Sequence, residues 1–582
     1  MKLTDIRIFR KHIAAFILVM LFHAIAWSAS GDLDTSFGVN GIVISDLQGN
    51  SATDNAEAVA VQPDGKILVA GTNGTDKFAL VRYLTTGGLD TGFGNSGVVI
   101  TSLPGIGGMA HDMVLQPDGK ILLSGLGDGS EFAMLRYLSD GSLDASFGTL
   151  GIVSITIGSG SATANAMALQ ADGKIVLAGQ TDVGGGSLDF AVARFNSDGS
   201  LDTSFDIDGK LTTPLVASVQ DYAFAVNVQP DGKIVVAGHT NSGRFGLVRY
   251  GVDGSLDTGF GSNGIVVTAV GTNDAYAYAI ALQPDGKIVV AGNALVNVGA
   301  RGFAVVRYNA DGSLDNSFGS SGKVITSLAG LGAEGANSVI VQPDGKIVVA
   351  GEYVHTQNPS NDLDIAVLRF DSNGLPDNSF GTNGIVTLDL GFDSGSSLAV
   401  QADGKILVAG SNPNDFILAR YEGFNLDVTP DVYAFVDKTD VVQSNLQISS
   451  LITVSGLDSG VKVPVSVSGG EYALNASSTY TTAINWVENG DQVNVRHVSA
   501  AVVNATVDTV LSVGGVMAPN GITHTGLNEI VRDTYSTTTA AGSSGSSGGG
   551  GGGAISWIVL IGLSIYELRR RSLQSRAVWV TA

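Results

Sequence analysis

Five histidines outside the N-terminal region, His111, His239, His355, His497 and His524, are the obvious candidates for acid–base or metal chemistry. None forms a His-x-x-x-His pair or stands at another metal-ligand spacing, so each is expected to be an ordinary surface or loop histidine. One Gly-x-Ser-x-Gly string, Gly545 to Gly549, has the lettering of a nucleophile elbow, but it lies in a Gly/Ser tract without the required strand, turn and helix. Asp64, Asp118, Asp172, Asp231, Asp285, Asp344 and Asp403 recur at one place in a repeated pentapeptide, which marks them as turn formers. Ca2+ suits oxygen-rich loops of this kind, yet no EF-type Asp-x-Asn-x-Asp-Gly loop is present. We therefore assign no catalytic residue, no metal site and no cofactor from sequence, and expect a binding protein more than an enzyme.

What holds such residues must be sought in the composition and the repeats. A chain of 582 residues exceeds one hydrophobic core. With 79 glycines and short β-branched runs, it reads as many strands joined by tight turns. The absence of cysteine removes disulfides and thiolate chemistry. A formal charge of −23 without a clustered Lys/Arg surface argues against a nucleic-acid partner and serves solubility.

The pentapeptide Gln-(Pro/Ala)-Asp-Gly-Lys begins at Gln62, Gln116, Gln170, Gln229, Gln283, Gln342 and Gln401, in steps of 54, 54, 59, 54, 59 and 59. A second motif, Leu-Asp-x-(Ser/Gly)-Phe, recurs seven times in register, its last copy reading Leu375-Pro376-Asp377-Asn378-Ser379-Phe380. One unit carries four strands: Ala56 to Val61, Lys66 to Gly71, Phe78 to Tyr83 and Gly97 to Thr101. Pro63 and Asp64 suit the centre of a type I turn and Gly65 the left-handed position after it. Radial closure leaves only short, protected strand edges, so seven four-stranded units predict a seven-bladed, all-β propeller over 31–421. Blade seven lacks its fourth strand, while an orphan strand, Gly41 to Ser45, precedes blade one. The orphan is expected to complete blade seven and latch the ring. The seven motif phenylalanines, from Phe37 to Phe380, are expected to pack between blades.

At these two motifs the chain resembles the delta-60 repeat, a bacterial β-propeller repeat. The resemblance implies a fold and an extracytoplasmic setting, and carries no activity or catalytic residue.

The remaining segments suggest export. Residues 1–30 combine basic Lys2, Arg7, Arg10 and Lys11, an apolar stretch and small residues Ser28-Ala29-Ser30, as in a signal peptide cut by signal peptidase. Residues 425–534 hold strand-like runs that read as an immunoglobulin-like β-sandwich. A Gly/Ser-rich linker, 535–553, leads to a short hydrophobic helix with an Arg cluster, 554–571, and a tail, 572–582. Gly-rich tract, hydrophobic helix and Arg569-Arg570-Arg571 together resemble the GlyGly-CTERM sorting signal processed by rhombosortase, a rhomboid-like protease. A permanent membrane anchor is the alternative, although about fifteen apolar residues are short of the ~20 that span a bilayer.

Strand parity puts the Asp-Gly turns and Leu-Asp-x-Ser-Phe motifs on one face of the disc. The opposite face receives the length variation, in the loops Gln180 to Asp189, Asn293 to Gly302 and Glu352 to Asp364. Variable loops on a rigid scaffold are where ligands bind. The longest of them groups Tyr353, His355, Asn358, Asn361 and Asp362, an aromatic surface beside hydrogen-bonding groups that suits a glycan, peptide or matrix ligand. An extracellular hydrolase or lyase on the same face, and a passive surface protein, are the alternatives.

Overall fold

The computed structural model describes residues 29–47, 53–103, 107–127, 129–216, 220–272, 274–297, 300–328, 334–354, 363–391 and 393–423, and beyond them 435–455, 463–482, 485–502, 505–514, 516–518, 521–523 and 530–539. All regular structure among these residues is β. Seven four-stranded antiparallel sheets follow one another in sequence. In blade one, strands A to D are Asn55–Val61, Ile67–Asn73, Lys77–Tyr83 and Val98–Thr101. Strands B and C are mostly apolar and almost wholly buried because neighbouring blades cover both their faces. Each inter-blade space is a core of its own, such as the one joining Phe93 to Leu123 and Leu135 of blade two.

The N-terminal strand, Ile42–Ser45, pairs antiparallel with Phe416–Tyr421 as the outer strand of blade seven, Ile42 opposite Ala419 and Ser45 opposite Phe416. Blades seven and one then share a core containing Phe37, Val69, Leu407 and Phe416. The ring is thus closed by its two chain ends.

The second motif builds the joint between blades. In every blade an Arg of strand C donates Nε–H to the motif Asp at 2.7–2.9 Å. The same guanidinium lies over the motif Phe, 4.2–4.6 Å from the ring centre. Its Nη1 reaches a backbone carbonyl of the next blade, as in Arg82 to Ser139 at 2.6 Å and Arg194 to Val252 at 2.6 Å. The Asp caps its own turn through its second oxygen, Asp202 accepting from the Ser204 amide at 3.0 Å. The motif Phe residues are fully buried at these joints, as expected.

At the closing joint, Arg420 of blade seven pairs with Asp34 at 2.7 Å, stacks on Phe37 and donates to the Thr85 carbonyl of blade one at 2.7 Å. Burial alone would raise the Asp34 carboxyl, but hydrogen bonds from Lys405 and Ser36 and the Arg420 charge hold it well below the usual carboxylate range.

Residues 435–539 form a two-stranded hairpin, Val516–Ala518 with Gly521–Thr523, and two larger sheets, a five-stranded one with a parallel edge pair (Lys438–Val441 beside Ile530–Thr539) and a four-stranded one centred on Gln492–Val498. Val465, Tyr472, Val495, Leu511 and Tyr535 form the core between them. The last strand continues past the expected domain end at 534 into the expected linker, because Thr537 still pairs with Val507. The expected signal segment, apart from its last two residues, and the C-terminal helix, Arg cluster and tail fall outside the described residues. No helix among the described residues is long and apolar enough to cross a membrane.

Replacing Asp34 with Ala would strand a buried guanidinium at the one joint that closes the ring. Loss of one partner of a buried pair costs about 3–5 kcal/mol. A sharply lowered melting temperature is expected, against little change for Asp64→Ala at an exposed turn; equal melts for the two would rule out the latch.

Candidate binding surface at the channel mouth

The A strands of successive blades adjoin one another all the way round the ring, which places them innermost. Asp112 accepts from the Met167 amide of the next blade, Ser338 from Leu398 and Ser397 from Val59, at 2.7, 3.1 and 3.2 Å. Small residues flank one position in six of the seven A strands, as in Ala223-x-Ala225 and Ala277-x-Ala279, because seven strands converge here; in blade two Asp112 takes one of the flanking places. That intervening residue is extra: every A strand carries a β-bulge, with Ala56 opposite Gly71 and Ala58 opposite Ala70, leaving Glu57 unpaired in the ladder. The bulge needs the glycine that closes the repeated Val-Ala-Gly of strand B. A Cβ on Gly71 or Gly238 would sit 1.9 Å from the carbonyl oxygen of Asn55 or Tyr222.

The bulge residues differ from blade to blade: Glu57, His111, Asn165, Phe224, Tyr278, Asn337 and Ser396. They stand at the loop-bearing end of the channel. The residues two places earlier vary likewise, among them Asn55, Met109, Tyr222 and Tyr276, as do those after the bulge glycine, among them Thr72, His239, Asn293 and Glu352. Chemical variety is thus concentrated on rigid strands at the mouth.

Two sectors stand out. In blades four and five, Tyr222 and Phe224 stack on His239 with centroids 5.3 and 5.2 Å apart, and Tyr276 meets the same ring edge-on at 4.5 Å. Arg301 lies 4.5 Å over the Tyr276 ring, pairs with Asp274 at 2.6 Å and donates to Asn293 Oδ1 at 2.8 Å. The Tyr276 hydroxyl engages Asp274, and that of Tyr278 engages Asn293. Burial drives His239 down to about 4, so it is neutral and acts as a wedge between aromatics.

Between blades one and two a cavity of about 310 Å³ is lined by Asn55, Glu57, Thr72, Asn73, Asp76, Met109 and His111, among others. His111 donates Nδ1–H to the Ala164 carbonyl at 3.1 Å, which leaves Nε2 as an acceptor. Burial lowers its pKa. Burial likewise pushes Glu57 up to about 7, and Asp112 up to about 7 despite amide bonds from Met167 and Met113.

These placements correct the reading of the histidines. His111, His239 and His497 lie on strands and are half-buried or buried, not on surface loops. His497 is held between the hydroxyls of Thr509 and Thr537, each at 2.7 Å. His355 and His524 lie outside the described residues.

Of the expected loop group, His355, Asn358, Asn361 and Asp362 also lie outside the described residues. Tyr353 is placed: it ends strand Ile347–Val354, is half-buried against the core between blades five and six, and turns its hydroxyl to Asp364 and Thr387. Ligand-capable oxygens of Asp364, Asp389 and Asp393 lie within 4.8 Å of one another, a donor set that a hard cation could take. One of the three already has a structural task, since Asp393 accepts from the Leu390 amide as Asp54, Asp221 and Glu334 accept from Leu47, Leu215 and Leu328. The extra length expected in the 293–302 loop is mostly strand, Ile288–Asn297 and Ala300–Tyr308 extending the blade-five hairpin.

The raised Asp112 predicts a pH signature. The folded protein holds this proton up to about 7, whereas the unfolded chain releases it near 3.8. Its favourable contribution is full below pH 4 and is lost as pH rises to 7. Asp112→Asn should therefore gain stability relative to the parent across that window, by up to about 4 kcal/mol, and run parallel above it. Denaturant melts at pH 4 to 8 check this; a constant difference would contradict it.

Comparison with known proteins agrees with this architecture. A family profile described as "Domain of unknown function (DUF5122) beta-propeller" matches residues 62–93, 116–147, 170–205, 229–260, 283–318, 342–380 and 401–423. A search of curated proteins finds no match. Among solved structures, a virginiamycin B lyase from Staphylococcus aureus is similar at 11% identity and TM-score 0.40, over 65% of this chain and 98% of that one. A lectin from Burkholderia pseudomallei is similar at 12% and 0.39, over 64% and 97%. An ulvan lyase is similar at 12% and 0.38, over 69% and 96%. Seven stretches of the propeller, one in each blade, are thus similar to the repeat of a β-propeller profile.

Proposed function

We propose that this chain is an exported surface protein that binds a glycan at the loop-bearing mouth of its propeller, through the aromatic sector of blades four and five. The observation that carries the reading is the wall of Tyr222, Phe224, Tyr276 and Tyr278 on an otherwise repetitive scaffold. Aromatic faces with fixed hydrogen-bonding groups beside them suit pyranose rings, whose C–H faces stack while their hydroxyls bond to Arg301, Asp274 or Asn293. Both hydroxyl-engaged tyrosines are pinned before a ligand arrives, which lowers the ordering cost. The blade-six group expected from sequence, Tyr353, His355, Asn358, Asn361 and Asp362, would widen the contact.

Export is supported by the basic and apolar N-terminal segment, and surface retention by the Gly-rich tract and Arg cluster. The residues from 435 onward would act as a spacer. An immunoglobulin-like sandwich is the reading we propose for them; two of their sheets share one core, and the first strand pairs parallel with the last.

A glycan array followed by calorimetry on the best binder tests the first claim. Tyr276→Ala should weaken binding about ten-fold, from the ~0.5–1.5 kcal/mol of an aromatic contact, with an unchanged melt. Undiminished binding, or no glycan bound by the parent, would remove it. For sorting, mass spectrometry of the mature protein should find nothing beyond about Gly553; peptides from Ser572 to Ala582 on the surface form would exclude cleavage.

A further inference from the structure

We propose that the cavity between blades one and two is a second binding site, one that takes a primary ammonium group on a ligand of monosaccharide or amino-acid size. Its volume, about 310 Å³, sits at the small end of the ligand-pocket range. Its lining holds two carboxylates, Glu57 and Asp76, and no Lys or Arg. His111 contributes an acceptor, because Nδ1–H is committed to the Ala164 carbonyl. Thr72 accepts the Ala110 amide at 3.2 Å, so its hydroxyl is left to donate to a ligand oxygen. An anion would meet two acidic side chains and no Lys or Arg here, whereas a cation finds acceptors on both blades.

Glu57 supplies the independent argument. The residues at its place in blades three and six are Asn165 and Asn337, and each donates across the blade boundary, to Ala223 at 2.7 Å and Gly395 at 3.1 Å. His111 does the same from blade two. An ionised glutamate cannot donate, and Glu57 makes no hydrogen bond to a described residue. Blade one therefore forgoes the inter-blade bond and keeps a carboxyl facing the cavity. Burial keeps that carboxyl partly protonated when the site is empty, and an arriving ammonium would favour its charged form. The other acidic groups nearby are Asp76, on the hairpin loop, Asp54, whose oxygens accept the Leu47 and Gly74 amides, and Asp112, whose oxygens are taken by the Met113 and Met167 amides.

Calorimetry on the full-length protein at pH 7 tests this with glucosamine, and with glucose and N-acetylglucosamine as probes that keep the ring and lose the charge. Saturable glucosamine binding is expected, with both neutral sugars at least ten-fold weaker. Glu57→Gln should lose at least ten-fold in glucosamine affinity while its melt holds or rises, because Gln can restore the missing bond to the Ala110 carbonyl. Asp76→Asn, on an exposed loop, should weaken binding without touching the ring. Tyr276→Ala should leave glucosamine binding unchanged, which separates this site from the aromatic one. No saturation by glucosamine, equal binding of glucose, or full affinity in Glu57→Gln would overturn the assignment.

Discussion

The interaction on which the molecule depends is the joint of Arg, Asp and Phe made seven times between successive blades. A lone buried guanidinium would be ruinous in so apolar a place, and a lone carboxylate nearly so. Together they satisfy each other, while the Phe ring beneath and the next blade's carbonyl beyond take up the remaining faces of the guanidinium. Because one side chain spans three partners in two blades, the joint sets blade spacing as well as cohesion. The chain closes the circle by supplying the seventh Asp and Phe, Asp34 and Phe37, from its N-terminal end.

A ring locked at its outer rim and its uniform face can vary elsewhere. The bulge in every A strand, admitted by a glycine in strand B, is the device that turns this freedom into a surface. It adds one unpaired residue per blade at the mouth of the channel, on a strand held by ladder bonds on one side and by neighbouring blades on the others. The result is a set of positions as rigid as the core but not bound by its packing rules. Glu57, His111, Asn165 and Phe224 occupy equivalent places with four different chemistries.

Much of this was legible in the sequence. Two motifs in fixed order predicted seven blades, and the orphan strand before blade one predicted the closure that Ile42–Ser45 makes. The motif Phe residues were placed correctly between blades. Their Arg partner was missed because it sits in a strand reading Phe-Ala-Leu-Val-Arg-Tyr, where one charge among apolar residues looks like a polar end. The Asp-x-Ser spacing of the motif reveals only the turn it caps, which accounts for one of the Asp oxygens. The mouth was missed for a different reason. Variation was sought in loop length, where insertions are obvious, while the variable residues on the A strands change identity without changing the period. Aligning the copies on Gln-Pro-Asp-Gly-Lys would have exposed the alternation of fixed Ala and variable neighbour in Tyr222-Ala-Phe224-Ala and Tyr276-Ala-Tyr278-Ala. A bulge cannot be read from such a pattern, but the conspicuous glycine opposite it can.

The central claim is that the joints carry the fold and the mouth carries recognition, with little overlap. The most direct measurement is a paired one on a single variant in which Tyr222, Phe224, His239, Tyr276 and Tyr278 are replaced together by Ser or Asn, the residue types that blades three, six and seven already carry at the bulge position. Thermal unfolding and glycan capture would be recorded on the same sample. The account predicts a melt close to the parent's and capture abolished. Retained capture, or a collapse of the melt comparable to loss of an Arg–Asp joint, would show that the mouth is neither separate from the scaffold nor the seat of binding.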